Sequence, residues 1–256
     1  MADSQRDSRS GTENPGPFSS KAFIASAAFV AGIALLGAVI AVTGGPDESK
    51  RATAAPSASA PPPAAPAPGQ GLPAGSPCPA TGETNDRIPL DPPPAVTWSI
   101  TDGFALPASR TAGPVQINGD VARCYAHNPV GALLAAVNIT ARAMSAKDWR
   151  AIADQQMVGD GKMNYITTRE NYEKSQGTSA ALRAGEHGQL AGFKYITYGT
   201  DTAVVDLVWR SPSGTLAAGP ATLRWSGGDW KNEVTISAPP GKALDNLAGY
   251  IEWSGI

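Results

Sequence analysis

"LAGFKYITYGTDTAVVDLVWRSPSGTLAAGPATLRWSGGDWKNEVTI", Leu190 to Ile236, alternates apolar and polar side chains in four runs separated by turn residues at "GTD", "SPSG" and "SGGD". Side chains of an extended chain point to opposite faces in turn, so residues two apart share a face. In the second run Ala203, Val205, Leu207 and Trp209 share one face. In the third Ala221, Leu223 and Trp225 do so, and in the fourth Trp230, Asn232, Val234 and Ile236. Short alternating runs bounded by turns predict a four-strand antiparallel meander with one mostly apolar face. Pro220 has no N–H to offer a neighbouring strand, so it marks a bulge or an edge position in the third run.

Upstream of the meander the period is helical. Asn128-Pro129 is a helix start, an Asn cap with proline in the first helical position. Val130, Leu133, Leu134, Val137, Ala141 and Met144 then recur at helical spacing. Ser145 with Asp148 reads as a capping box, in its Asp variant, opening a second helix. Trp149, Ile152, Ala153 and Met157 stripe that helix and Gly159 ends it. A third helix is expected over Thr168 to Gln176, stopped by Gly177.

Ahead of these lies a short strand around Trp98 (Ala95 to Ile100), then chain read as irregular with brief extended pieces. The closing "ALDNLAGYIEWSGI" is expected to form a short helix or turn that lays Tyr250 and Trp253 on the domain. Helices followed by a meander predict an α+β domain with helices packed on a curved antiparallel sheet.

The N-terminal part cannot pack in this way. Residues 51–80 carry nine prolines and almost no bulky side chains, too little apolar surface to offset their ordering entropy. The polar residues 1–20 read as a disordered tail. Between them Ala22 to Val42 is uncharged and ends at Gly-Gly-Pro. About 20 apolar residues span a bilayer core, whereas the apolar region of a cleaved signal peptide runs to about 7–15. No cysteine closes the run to serve as a lipid anchor.

The expected organisation is a cytoplasmic tail (1–20), a transmembrane helix (21–43), a disordered Pro/Ala-rich linker (44–94) and an extracytoplasmic domain (95–256). Arg6, Arg9 and Lys21 before the span, against Lys50 and Arg51 after it, favour this orientation. Fully extended, the linker reaches on the order of 150 Å. A formal net charge of −2 without a basic cluster in the folded part argues against direct nucleic-acid binding.

The order of elements is similar to the cone-shaped fold of nuclear transport factor 2 and the ketosteroid isomerases. The stretches "GFALP" (103–107), "GPVQINGDVARCYAHNPVGALLAAVN" (113–138) and "LAGYIEW" (247–253) resemble a group of actinomycete single-pass membrane proteins found with conjugative and mobile elements. Span, linker and such a domain together resemble the bitopic inner-membrane assembly components of type IV secretion and conjugation machines. A second family of similar build accompanies lipid-importing complexes, with the domain usually close behind the span.

These resemblances imply a membrane-bound scaffold without catalytic residues or cofactor. Its expected partners are other subunits of a membrane complex and copies of itself. Accessory service to lipid import, or a small-molecule isomerase activity, are the alternatives.

Three readings stand open for Cys124-x-x-His127: a nucleophile or metal pair, unpaired thiols, or a Cys78–Cys124 disulfide with His127 merely preceding a helix cap. A nucleophile needs a lowered pKa and a base in reach. A four-ligand zinc site would need Cys78, Cys124, His127 and His187, or carboxylates, and these four show no ligand spacing beyond one pair. In an oxidising compartment the disulfide is the simplest reading.

For an isomerase, the candidate carboxylate is Asp206, alone among Val204, Val205, Leu207 and Val208, with Tyr195 or Tyr198 as donor. Against this, Asp206 falls on the face opposite Leu207 and Trp209, which reads equally as a wet surface. The glycosylation-type "NIT" at Asn138 lies within the predicted first helix and carries little weight. Trp209, Trp225 and Trp230 read as core before they read as a partner surface.

Overall fold

The computed structural model describes residues 77–79, 85–176, 187–237 and 239–255. The expected tail (1–20), transmembrane helix (21–43) and much of the linker lie outside the described residues. Among those described, no helix is long and apolar enough to cross a membrane.

The domain is α+β. Its chain runs β1 (Val96–Thr101), β2 (Phe104–Ser109), β3 (Gln116–Asn118), β4 (Val121–Arg123), α1 (Pro129–Ser145), α2 (Trp149–Gln156), β5 (Met157–Val158) and α3 (Lys162–Gln176). It continues through β6 (Gln189–Tyr198), β7 (Thr202–Arg210), β8 (Leu216–Ser226), β9 (Asp229–Glu233), β10 (Lys242–Leu244) and β11 (Ile251–Glu252). The meander forms the centre of a seven-stranded sheet ordered β11-β6-β7-β8-β9-β5, with β10 on β8; β1–β2 and β3–β4 are separate hairpins.

Register follows the alternation. Val205 faces Tyr195 and Ala221 across its neighbours, and Leu207 faces Phe193 and Gly219. Ala203, Val205, Leu207, Leu223 and Trp230 all enter the main core. Pro220 pairs with Asp206 without any register shift. On its other side β10 ends at Ala218 and β9 begins at Leu223, so Pro220 sits in a local edge where its missing N–H costs nothing.

α1 begins as its sequence dictates. Asn128 caps it, accepting from the Gly131 N–H at 2.8 Å, and Pro129 opens the first turn. Most of the helix is buried, apolar and alanine-rich all round, as a helix must be when enclosed by other elements. It lies between the sheet, α2 and β2, and Leu133, Leu134, Val137 and Ile139 fill the space above the apolar sheet face.

Three expectations need correction. Ser145 does not cap α2: it is the last residue of α1, its hydroxyl donating to Ala141 O at 3.1 Å, and Asp148 caps α2 by accepting from Ala151 N. Met157 leaves that helix for β5, which pairs in parallel with β9. α3 starts six residues earlier than its polar sequence suggests. Ile166 is its buried apolar residue, so no stripe announces it.

In the region read as irregular with brief extended pieces, those pieces are three strands, β2, β3 and β4. β1 and β2 are joined by Asp102-Gly103, both at positive φ, the geometry of a two-residue hairpin turn. Of the helix or turn expected there, the C-terminal segment has the turn, Tyr250 N donating to Leu247 O at 3.0 Å. It crosses the outer face of the sheet, pairing with β8 through β10 and with β6 through β11. Trp253 at its end is buried against Trp98 and Phe193, with ring centres 4.9 and 5.4 Å away.

Candidate functional site

Cys124 follows β4 in a left-handed backbone conformation, φ 69°, which a cysteine does not adopt unaided. Its neighbours hold it there. The Asp229 carboxylate, at the β8–β9 turn, accepts from the N–H of Cys124 at 2.8 Å, of Tyr125 at 2.9 Å and of Trp230 at 3.0 Å. Val115 N donates to Cys124 O at 3.1 Å. Burial pushes the Asp229 carboxyl up from its ordinary range, opposed by those three N–H groups and by the charge of Arg123.

The sulfurs of Cys124 and Cys78 are bonded, with Cα atoms 5.1 Å apart. Cys124 is fully buried and Cys78 half-buried. Arg123 Nη2 lies 3.8 Å from Cys78 Sγ. Both sulfurs and the Asp229 carboxylate fall within 4.8 Å of one another. While the sulfurs are bonded they present no thiolate to an ion, and both Asp229 oxygens already accept backbone N–H groups.

His127 does not serve Cys124. Its exposed ring lies flat on Trp225, centroids 3.9 Å apart and planes within 6°, with Nε2 2.6 Å from Thr200 O. Trp230 beneath is fully buried and its indole N–H donates to Ala126 O at 2.9 Å. Trp209 and Trp230 are core, and Trp225 packs against it from the surface. Asn138 is buried too, donating to Pro107 O and Leu134 O at 2.9 and 3.0 Å.

Residues 56–252 match the family described as a domain of unknown function, DUF8175. The chain belongs to this family. No curated protein and no solved structure matches it. The DUF8175 match takes in both cysteines, and with them part of the Pro/Ala-rich stretch ahead of the domain.

The structure does not bring Asp206 together with Tyr195 or Tyr198. Asp206 faces Lys194 and Pro220 across its neighbours, on the outer face of the sheet. Tyr195 and Tyr198 pair with Val205 and Ala203 on the core face. Tyr195 donates to Pro129 O at 2.6 Å, and burial raises its phenol well above the ordinary tyrosine range. Tyr198 packs beside Trp230, ring centres 6.2 Å apart.

Nor is the outer face wet at Asp206, which is only 4% exposed. The crossing C-terminal segment of the DUF8175 domain covers it. Tyr250 donates to Asp206 Oδ2 at 2.7 Å and Lys242 Nζ approaches to 3.6 Å. Lys194 Nζ stands 4.7 Å from the centre of the Tyr250 ring. Ala191, Val208, Leu216 and Ala218, with Leu244 and Leu247, form a small apolar layer beneath.

A half-open groove of about 620 Å³ lies beside β6 and β11, lined in part by Gln189, Arg210, Glu252 and Trp253. None of Asp206, Tyr195 and Tyr198 lines it. The sequence places Tyr250 on the domain without indicating its Asp206 partner, and it does not single out Asp229. Asp229 carried only the signature of a Gly-Gly-Asp turn, and Tyr250 that of an aromatic near the chain end.

Proposed function

We propose that the chain is a non-enzymatic, single-span membrane scaffold. Its α+β domain, of the nuclear-transport-factor-like cone type, stands outside the cytoplasm on a Pro/Ala tether. There it assembles with copies of itself and with other subunits of a conjugative, type IV secretion-like apparatus. The observation that carries this reading is the Cys78–Cys124 bond at the place where tether and domain meet. Disulfides persist in oxidising compartments and are rare in the cytosol.

Two further features support it. The sheet face that would line an isomerase pocket is occupied by α1 side chains, and the candidate carboxylate lies on the other face under a clasp. β6 shifts register at Ala191 and again at Ile196, and bulges of this kind bend a sheet in the way a cone requires.

Reporter fusions at the C-terminus test the orientation, and a cytosolic carboxyl end rejects it. Purification of the full chain in mild detergent, with identification of what accompanies it, separates a transfer apparatus from a lipid-import complex.

A further inference from the structure

We propose that Cys78–Cys124 is a thiol–disulfide exchange site that acts as a detachable clamp. Opened by a dithiol, it frees the chain ahead of the domain while the domain stays folded. This goes beyond the assembly reading and stands whether or not the N-terminal span crosses a membrane.

The two sides of the bond are held unequally. On the domain side Asp229 grips the N–H groups of Cys124 and Tyr125, and Val115 grips the Cys124 carbonyl. The Tyr125 hydroxyl donates to Ala122 O at 2.9 Å, and the Trp230 indole holds Ala126 O. None of these bonds uses either sulfur. On the other side Cys78 is only half-buried, where Cys124 is fully so. The described residues from Asn85 to Pro92 are exposed apart from the half-buried Pro89, and Pro93 is the first buried one after Cys78.

Access and charge set the order of exchange. Cys124 is fully buried, so an incoming thiolate meets the half-buried Cys78. Its sulfur bonds to Cys78 Sγ as the Cys78–Cys124 bond breaks, and the electron pair leaves on Cys124 Sγ. That thiolate forms within 4.8 Å of the Asp229 carboxylate and takes up a proton. Gln116 Oε1, 3.6 Å away, is placed to accept from the resulting thiol.

The second thiolate of the dithiol then attacks its own first sulfur. Cys78 departs as a thiolate beside the Arg123 guanidinium, 3.8 Å away, and is protonated in turn. Two electrons and two protons pass to the protein, and the dithiol becomes a disulfide. A monothiol needs a second molecule to release Cys78 from the mixed disulfide.

The energetic signature is distinctive. A bond that closes the full separation of 46 residues in the unfolded chain, with both ends otherwise fixed in the fold, shifts the folding equilibrium about a thousandfold. In the clamp, opening releases the chain back to Pro93, about 15 positions after Cys78 and the first buried one among the described residues that follow it. The bond then changes folding only by the ratio of the two closure probabilities, about fivefold.

The test uses the oxidised full chain in detergent micelles, with dithiothreitol as the probe. Urea unfolding followed by tryptophan fluorescence should shift about fivefold on reduction. Trypsin cleavage after Arg87 should accelerate, while cleavage after Arg142, buried in α1, should not. Cys78→Ser should match the reduced protein and lose its response to dithiothreitol. A shift near a thousandfold, Arg142 opening together with Arg87, or a Cys78→Ser chain that fails to fold would each overturn the clamp.

Discussion

Tyr250 donates its phenol proton to the Asp206 carboxylate across 2.7 Å, joining residues 44 positions apart in the chain. Asp206 sits in the middle of β7, and Tyr250 lies in the segment that leaves β10 and returns as β11. One hydrogen bond to a charged acceptor thus fastens the C-terminal crossing over the centre of the sheet.

Tyr250→Phe should therefore lower stability by about 2 kcal/mol, the range for a hydrogen bond to a charged group. The buried carboxylate is then left with Lys242 at 3.6 Å, itself exposed. Urea denaturation measures the loss. An unchanged midpoint would mean that the pairings of β10 and β11 hold the crossing unaided.

Asp229→Ala removes the acceptor for three N–H groups, of Cys124, Tyr125 and Trp230. A buried donor left unsatisfied costs about 1–3 kcal/mol, so a total of about 3 kcal/mol or more is expected. Asp229→Asn keeps one acceptor oxygen and should fall between the two. Chemical denaturation under oxidising conditions, with the disulfide intact, isolates this loss from the cross-link.

Alkaline pH should expose the buried phenol of Tyr165, which donates to Ala143 O at 3.1 Å. Burial, with Arg169 pulling down and Glu173 pushing up, raises it from 10.0 to about 12. Because the folded value lies above the unfolded one, the contribution is complete below about pH 10 and is lost as pH rises through about 12. The full loss is about 2–3 kcal/mol. Urea midpoints from pH 9 to 12 should fall less steeply for Tyr165→Phe than for the parent. Parallel profiles would remove Tyr165 as a cause.

Gly131→Ala should be among the most damaging single substitutions. Its Cβ would run into Ala126 O and come within 2.7 Å of Ala126 N, backbone atoms already bonded to Asn128 N and Ala112 O. Overpacking of this kind costs about 3 kcal/mol. Gly214→Ala, in open space at φ +88°, carries only the left-handed penalty of about 1–2 kcal/mol. Thermal unfolding of the two variants side by side should show the larger drop for Gly131→Ala.

The central sheet was legible because its runs are long enough for a period of two to place Val205, Leu207 and Leu223 on one face. α1 was legible from the Asn128-Pro129 cap. The β1–β2 hairpin carried a readable signal that went unused: Asp102-Gly103 is a dipeptide suited to two positive-φ positions. β10 and β11 carried no such signal. Strands of three and two residues have too few alternations to define a face, and the exposed edges of β8 and β6 made them strands.

By itself, then, the order of residues determined what depends on near neighbours: the meander, the capped helix, the turn glycines and the side of β7 that Asp206 occupies. Only the folded chain decided what depends on distant contact. Alternation assigned Asp206 to the outer face but not the Tyr250 that covers it. The turn motif located Asp229 without revealing the Cys124 N–H, 105 residues earlier, that it holds. Dihedral preferences and side-chain periods act over a few residues, whereas burial and hydrogen-bond pairing are settled by whichever segments packing brings together.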